Sequence, residues 1–309
     1  MTRLSYSPSA FRRSMRISRV PLFIFVEGFS DRYVYDRIAQ SECQRAGVGF
    51  KIVTADEIAI DGGGKEVLLK FFDYLAGESS LICNFQGKTT ISIFFLDKDV
   101  DDILKTKRES DHIVYTETYN FENYLFIHGE LSEVAASSAS IEVGSIRNAL
   151  GEYEAWRRSA ASKWKKWVGL CLFSRMCSIR SMSNYERPTS PINVGICGSV
   201  KSSEYKRHLS YLKLKSQLPP DDFKRLFAGL CHEINRIYSA GRYDQVFKGN
   251  WYVYFLIEDI KSVAGRRRYN NKHLAERLLS GLALTLDYSD SWAEHFREPI
   301  RRLITKAVV

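Results

Sequence analysis

Acidic side chains follow two apolar runs of strand length. Glu27 comes directly after Leu22–Val26, and Asp97 and Asp99 come directly after Thr90–Leu96. Alternate residues of an extended segment point the same way, so the carboxylates of Asp97 and Asp99 are expected to converge. Neighbouring carboxylates repel one another unless a cation lies between them. Mg²⁺ accepts a few carboxylate oxygens and keeps several waters, so these three acids predict a Mg²⁺ site that Mn²⁺ could also occupy.

Two further acids lie near these three in the predicted fold. Asp101 is one step beyond Asp99, and Glu122 begins a helix in the stretch NFENYL. Both are candidate metal ligands. Each also has a structural alternative, because an acidic segment after a strand is commonly a solvated turn and an acid in the first turn of a helix is favoured by the helix dipole.

The elements that must position these acids alternate along the first half of the chain. Apolar runs predict strands and helical spacing predicts helices. Strands are expected at Leu22–Val26, Phe50–Thr54, Thr90–Leu96 and His112–Thr116, and helices at Asp31–Ala39 and Glu66–Leu75. Strands that are apolar on both faces and separated by helices predict an α/β fold with a parallel sheet covered by helices on both faces. Ligands of such sheets gather at the carboxyl ends of the strands.

The second half of the chain is predicted to be mostly helical from about residue 145. Helical spacing covers Ile146–Val168, Phe223–Ala240 and Lys272–Leu286, while residues 132–144 and Asn184–Ser203 are expected to be loops. The sequence therefore predicts three parts: a basic arm over residues 1–19, a catalytic domain over residues 20–130, and a helical, basic region over residues 145–309.

The first half resembles the TOPRIM domain. Glu27-Gly28 after one strand and Asp97-Lys98-Asp99 after a later strand match the two elements of that family. The family occurs in topoisomerases, primases, small ribonucleases and OLD-type nucleases. The resemblance implies that Glu27 acts as a general acid or base or as a metal ligand, and that the aspartates hold Mg²⁺. OLD-type members use another acid four residues after the glutamate, a place that Asp31 occupies here; its alternative role is a helix cap.

Two more stretches narrow the resemblance. YNFENYLF (Tyr119–Phe126) and FKGNW (Phe247–Trp251) are similar to a TOPRIM family whose members include the nuclease effector of the PARIS anti-phage system. That resemblance implies an endoribonuclease that cuts tRNA and is held by an ABC-type ATPase until a phage protein triggers release. It also implies a homodimer with paired active sites.

Positive charge is concentrated at the end of the chain. The net charge is −9 over residues 20–150 and +13 over residues 151–309, and a basic field of this size attracts nucleic acid. The predicted contacts to substrate phosphates are Lys65, Lys98, Arg157, Arg158, Lys165, Lys166, Arg266, Arg267 and Arg268. The tryptophans of WRRSAASKWKKW share one helical face and are expected to be core residues, with the basic residues facing outward. These bases could equally dock an acidic partner.

Several function classes are excluded or disfavoured. The GGGK stretch at Gly62–Lys65 lacks P-loop spacing, so ATP hydrolysis is rejected. Six cysteines without a C-x-x-C pair argue against a zinc site and fit a reduced cytoplasmic compartment. No tyrosine stands out as a topoisomerase nucleophile, and no zinc ribbon precedes the domain as in primases. A membrane-spanning segment is not expected.

Three hypotheses follow. The first is a Mg²⁺-dependent endoribonuclease acting on tRNA in phage defence, and the second is an OLD-like DNase, with which the carboxylates are equally compatible. The third is a non-catalytic scaffold that binds an ATPase partner. The number of carboxylates argues against the third, because a degenerate domain has little reason to keep them.

Overall fold

The computed structural model describes residues 5–186, 198–265 and 269–308. The tripeptide Arg266–Arg268 and most of the predicted loop Asn184–Ser203 lie outside these ranges. The described strands are β1 (Leu22–Val26), β2 (Phe50–Thr54), β3 (Ile82–Phe85), β4 (Lys88–Leu96) and β5 (Ile113–Tyr115). The helices are α1 (Pro8–Ile17), α2 (Phe29–Ala46), α3 (Gly64–Gly77), α4 (Asp101–Leu104), α5 (Phe121–His128), α6 (Leu131–Ala139), α7 (Val143–Leu150), α8 (Tyr153–Lys163), α9 (Lys165–Met176), α10 (Ser202–Lys215), α11 (Pro220–Ser239), α12 (Tyr252–Ala264), α13 (Asn271–Thr285) and α14 (Glu294–Val308).

The chain forms two compact units. The first, here called the sheet unit, contains residues 1–98, 107–116 and 287–309. The second, the helical unit, contains residues 99–106 and 117–286. These units do not follow the predicted ranges: the end of the chain belongs with the sheet, and the change from one unit to the other falls inside the predicted catalytic domain.

The sheet unit contains one five-stranded sheet. β2, β1 and β4 are neighbours and run parallel, with Val26 opposite Phe95 in the register of β1 and β4. The far side of β4 pairs first with antiparallel β3 and then with parallel β5. The predicted α/β class is thus confirmed. The sheet is mixed rather than wholly parallel, because β3, a strand that the sequence did not predict, runs antiparallel to β4.

Helices cover both faces of this sheet. Phe94 and Phe95 are successive strand residues and therefore point to opposite faces. On one side Phe94 stacks on Phe25 (4.6 Å between ring centroids) in a core that also contains Phe11 of α1 and residues of α3. On the other side Phe95 stacks on Tyr35 of α2 at 4.6 Å. The last helix, α14, packs on this second face as well, where the ring of its Phe296 lies 6.0 Å from that of Phe95.

The two ends of the chain are parts of the sheet unit. In α1, Phe11 and Met15 are one helical turn apart and both are buried in the core. The predicted basic arm is therefore a packed helix in this stretch. In α14, the guanidinium of Arg301 contacts buried Glu42 of α2, with Nε 2.9 Å from Oε2. The predicted helical region at the end of the chain thus includes a segment that supports the sheet.

The helical unit contains α4–α13. The expectation of a loop over residues 132–144 is wrong, since α6 and α7 occupy most of that stretch. The continuous helix expected at Ile146–Val168 is instead divided among α7, α8 and α9. Among the described residues, no helix is both long enough and apolar enough to cross a membrane.

Candidate functional site

The carboxylate of Glu27 lies at the carboxyl edge of the sheet against the first residue after β4. β1 and β4 are parallel neighbours, so both strands end at the same edge. The main-chain N–H of Asp97 donates a hydrogen bond to Oε1 of Glu27 at 2.8 Å. The structure thus joins two of the three acids predicted to form the centre of the site. Pairing of neighbouring parallel strands is the physical reason.

The glycine-rich stretch before α3 lies over Glu27. A Cβ atom added to Gly64 would lie 2.9 Å from the main-chain oxygen of Glu27. Gly62 has a φ of +145°, a conformation that glycine adopts readily. Lys65 follows, and its Nζ lies 3.5 Å from the main-chain oxygen of Lys98. The predicted phosphate-contacting lysine therefore lies beside the backbone of the Asp97-Lys98-Asp99 segment.

Asp31 makes the contact expected of a helix cap, which was the structural alternative to metal binding. Its Oδ2 accepts a hydrogen bond from the main-chain N–H of Gly28 at 2.8 Å, and its Oδ1 accepts one from Ser30. Burial raises the pKa of Asp31 above its ordinary range, against the opposing effect of these hydrogen bonds. The capping contact accounts for an acid at this position whether or not it also contacts a metal.

The backbone after β4 is not extended as far as Asp99. Asp99 has a φ of +53°, in the left-handed region, and its main-chain N–H donates to the oxygen of Tyr119 at 2.6 Å. Asp97 and Asp99 are therefore not alternate residues of one extended segment, as the sequence had suggested. Lys98 between them is 3% exposed, and its N–H donates to Oγ1 of Thr116 at 2.8 Å. A side chain that buried does not present a surface contact to a phosphate.

The third aspartate of this stretch is in the helical unit. Asp101 is buried in the short helix α4, where its Oδ1 accepts a hydrogen bond from Oγ1 of Thr106 at 3.0 Å. This contact closes the turn after β4. It gives Asp101 a structural role of the kind weighed against metal binding.

The described residues contain no group of three or more His, Cys, Asp or Glu side chains arranged to hold a metal ion. Mg²⁺ in phosphate-processing sites is usually bound by one or two carboxylates, with waters and substrate phosphates completing its shell. Glu27 and Asp97 supply two carboxylates at the same edge of the sheet, with the Asp97 main-chain N–H against the Glu27 carboxylate. Two carboxylates are the kind and number of protein ligands that such a site needs.

Glu122 lies where the two distant motif stretches meet. The Nδ2 of Asn250 donates to Oε1 of Glu122 at 3.4 Å, and the N–H of Gly249 donates to Oδ1 of Asn120 at 2.8 Å. A Cβ atom on Gly249 would lie 2.2 Å from the main-chain nitrogen of Asn123, so only glycine allows this approach. The stretches YNFENYLF and FKGNW thus form one structural feature of the helical unit.

Sequence reasoning missed Asp244, which organises the same region. Its Oδ2 lies 2.7 Å from Nη1 of Arg157, while its Oδ1 accepts hydrogen bonds from Asn123 at 3.0 Å and Tyr252 at 2.8 Å. The Arg157 side chain is 11% exposed, so the prediction that it faces outward to a phosphate is wrong. Burial raises the pKa of Asp244, with Arg157 opposing that effect. No spacing or motif in the sequence distinguishes this aspartate from others in loops.

The other basic residues of the tryptophan-rich stretch remain near the surface. Arg158 pairs with Glu154 at 2.5 Å, Lys165 Nζ lies 4.9 Å from the ring centroid of Tyr238, and Lys166 Nζ lies 5.8 Å from that of Tyr205. Trp164 and Trp167 are fully buried, so the prediction that they are core residues is confirmed. They are not available to stack on bases. The remaining predicted contacts, Arg266–Arg268, lie outside the described residues.

The helical unit also contains a cavity of about 1220 Å³ that is open to solvent and has Asp99 on its wall. Its other lining residues come mainly from α9, the segment after α9, and α10. No sequence pattern predicted this cavity, because its walls come from positions far apart along the chain.

The chain was compared with models of known protein families and with curated proteins, and it matches none of them.

Proposed function

We propose that this protein is a metal-dependent TOPRIM endonuclease. The observation that carries the proposal is the 2.8 Å hydrogen bond from the N–H of Asp97 to Oε1 of Glu27. It brings together two acids from separate strands at the carboxyl edge of a parallel strand pair, where ligands of α/β sheets gather. Both acids belong to the motif pair that resembles TOPRIM.

In this proposal Glu27 and Asp97 would hold Mg²⁺ or Mn²⁺. When bound, the ion would stabilise negative charge on the scissile phosphate and lower the pKa of the attacking group. Glu27 accepts the proton of that group as general base. The N–H of Asp97 fixes the orientation of the Glu27 carboxylate, and the Lys65 ammonium contacts a substrate phosphate.

RNA, and tRNA in particular, is the favoured substrate through the resemblance of Tyr119–Phe126 and Phe247–Trp251 to the PARIS effector family. The contact between these two stretches supports their being one feature rather than two chance matches. An ABC-type ATPase partner and an active homodimer follow from the same resemblance. The basic net charge of residues 151–309 suits a polyanionic substrate.

The test is a cleavage assay with a Glu27→Gln variant. Glutamine keeps an oxygen that can accept the hydrogen bond from Asp97 but removes the charge and the base. Purified protein is incubated with total tRNA and, separately, with plasmid DNA, in Mg²⁺ and in EDTA, with and without the partner ATPase and its trigger.

Cleavage of tRNA that requires both Glu27 and the metal supports the proposal. Cleavage of DNA alone would replace it with the OLD-like DNase. Absence of cleavage under every condition, including release by the partner, would favour the scaffold. The control is Asp73→Asn, which removes an exposed carboxylate from α3 and should leave cleavage unchanged.

A further inference from the structure

The cavity of the helical unit has an excess of positive charge on its walls. Its cationic lining residues are Arg175, Arg180, Arg207 and Lys248, and its acidic ones are Asp99 and Glu186. Arg207 is paired with Glu204, whereas Arg175, Arg180 and Lys248 form no ion pair within the described residues. Three cations without carboxylate partners in one cavity favour an anionic ligand.

Two buried polar side chains on the wall have an atom without a partner. His208 is 7% exposed and Tyr185 is 8% exposed. Within residues 5–186, 198–265 and 269–308, neither Nε2 of His208 nor the hydroxyl of Tyr185 has a hydrogen-bond partner. Neither atom is accessible to solvent, so both side chains form part of the wall and do not present these atoms to the cavity.

Both side chains are held in place by their neighbours. The Nδ1 of His208 is 3.0 Å from Oγ of buried Ser183. The Tyr185 ring stacks on Trp251 at 5.5 Å between centroids and also contacts Tyr119 at 4.8 Å. Both side chains are therefore fixed parts of the wall, as the walls of a preformed ligand site are.

The size of the cavity and its aromatic rim favour a nucleotide over a small anion. Its volume of about 1220 Å³ exceeds the roughly 300–1,000 Å³ of common small-molecule sites. Tyr211 lines it and is 40% exposed, so its ring face can stack on a base. A free phosphate would need neither the volume nor the ring.

We propose that this cavity binds nucleotides of a single-stranded nucleic acid segment, with Arg175, Arg180 and Lys248 on the phosphates and with the ring of Tyr211 against a base. The inference rests on the proposed function, since it names the site through which that substrate is held. Burial lowers the pKa of His208, with nearby Arg207 adding to the effect, so the imidazole brings no positive charge to the cavity wall at neutral pH.

The test is binding of a fluorescent single-stranded RNA decamer to the full chain in EDTA, followed by anisotropy over a series of salt concentrations. The variant is Arg175→Ala with Arg180→Ala. Both side chains are exposed, so the fold should survive, as circular dichroism can check. The matched control is Lys206→Ala, which removes an exposed cation of α10 that does not line the cavity.

We expect the double variant to weaken binding at least tenfold. The slope of log affinity against log salt should fall by about 0.7 for each phosphate that the variant no longer binds. The Lys206→Ala protein should bind as the unchanged protein does. Unchanged affinity and slope in the double variant would overturn the inference. So would inorganic polyphosphate binding as tightly as the decamer, because the cavity would then select charge without a base.

The binding assay and the cleavage assay test different claims, so either claim can be contradicted while the other holds. Binding in EDTA requires neither metal nor catalysis, so the cavity can bind the decamer even if no cleavage is found. Conversely, cleavage that depends on Glu27 while the cavity variant binds normally would leave the proposed function intact and remove only this inference.

Discussion

Gly64 lies directly against the backbone of Glu27. A Cβ atom at residue 64 would be 2.9 Å from the Glu27 oxygen and 3.3 Å from the Glu27 Cβ. The first residue of α3 thus lies against the acid that follows β1. The glycine-rich stretch has a packing role at the candidate site whatever its part in phosphate binding.

A Gly64→Ala substitution tests this approach. The added methyl group meets main-chain atoms that cannot rotate away, so the free energy of unfolding should fall by about 1–3 kcal/mol. Denaturant unfolding measures the change. The control is Gly77→Ala at the other end of α3, where an added Cβ meets nothing within 4 Å. The control should be neutral or up to about 1 kcal/mol more stable, and equal destabilisation of the two proteins would contradict a close approach at Gly64.

Gly249 is the corresponding close contact in the helical unit. Its added Cβ would be 2.2 Å from the nitrogen of Asn123, so Gly249→Ala should separate FKGNW from α5 and lower the melting temperature by several degrees. Gly229→Ala in α11 adds a methyl group in open space and serves as the control. A Gly249→Ala protein with the melting temperature of the unchanged protein would show that the packing of FKGNW on α5 does not require this close approach.

Asp244→Asn should be among the most destabilising single changes in the helical unit. It leaves the guanidinium of Arg157 buried without its counter-charge, which should lower the free energy of unfolding by about 3–5 kcal/mol. Glu154→Gln is the comparison, because it breaks the exposed pair with Arg158, which water and salt screen so that its loss should change stability little. Chemical denaturation of both variants measures the difference. Similar small effects would mean that Asp244 is not the centre of this region.

His208 gives the helical unit a pH dependence. Burial lowers its pKa below the ordinary 6.5, so the unfolded chain takes up a proton at a higher pH than the folded chain does. The stabilisation that neutral, buried His208 contributes is fully present above pH 6.5. It is lost as the pH falls through that value toward the lower pKa of the folded protein. Unfolding free energies of the unchanged protein and His208→Gln, compared from about pH 8 to about pH 5, should diverge in that direction. Parallel curves would contradict it.

The sequence predicted the strands that carry the acids because each is a run of mainly apolar residues. It missed β3, since Ile82–Phe85 is short and only partly buried. It missed α1 because frequent arginines obscure the apolar pair Phe11 and Met15. It predicted a helical region at the end of the chain but not that α14 packs on the sheet, because that contact joins residues far apart along the chain.

Within the candidate site, pairing of the strands made the meeting of Glu27 and Asp97 predictable. The left-handed backbone of Asp99 was not, because a non-glycine residue with positive φ is held there by surrounding contacts rather than by its own preference. The burial of Arg157 depends on Asp244, 87 residues away in sequence. Contacts at that separation leave no periodic signal.

Binding of Mn²⁺ tests the central claim most directly, because it does not depend on substrate, trigger or partner. Isothermal titration calorimetry would compare the unchanged protein with Glu27→Gln and with Asp73→Asn, the exposed acid of α3. We predict that Mn²⁺ binding is retained in Asp73→Asn and weakened at least tenfold in Glu27→Gln. Equal binding by all three proteins would contradict a metal site formed by Glu27 and Asp97.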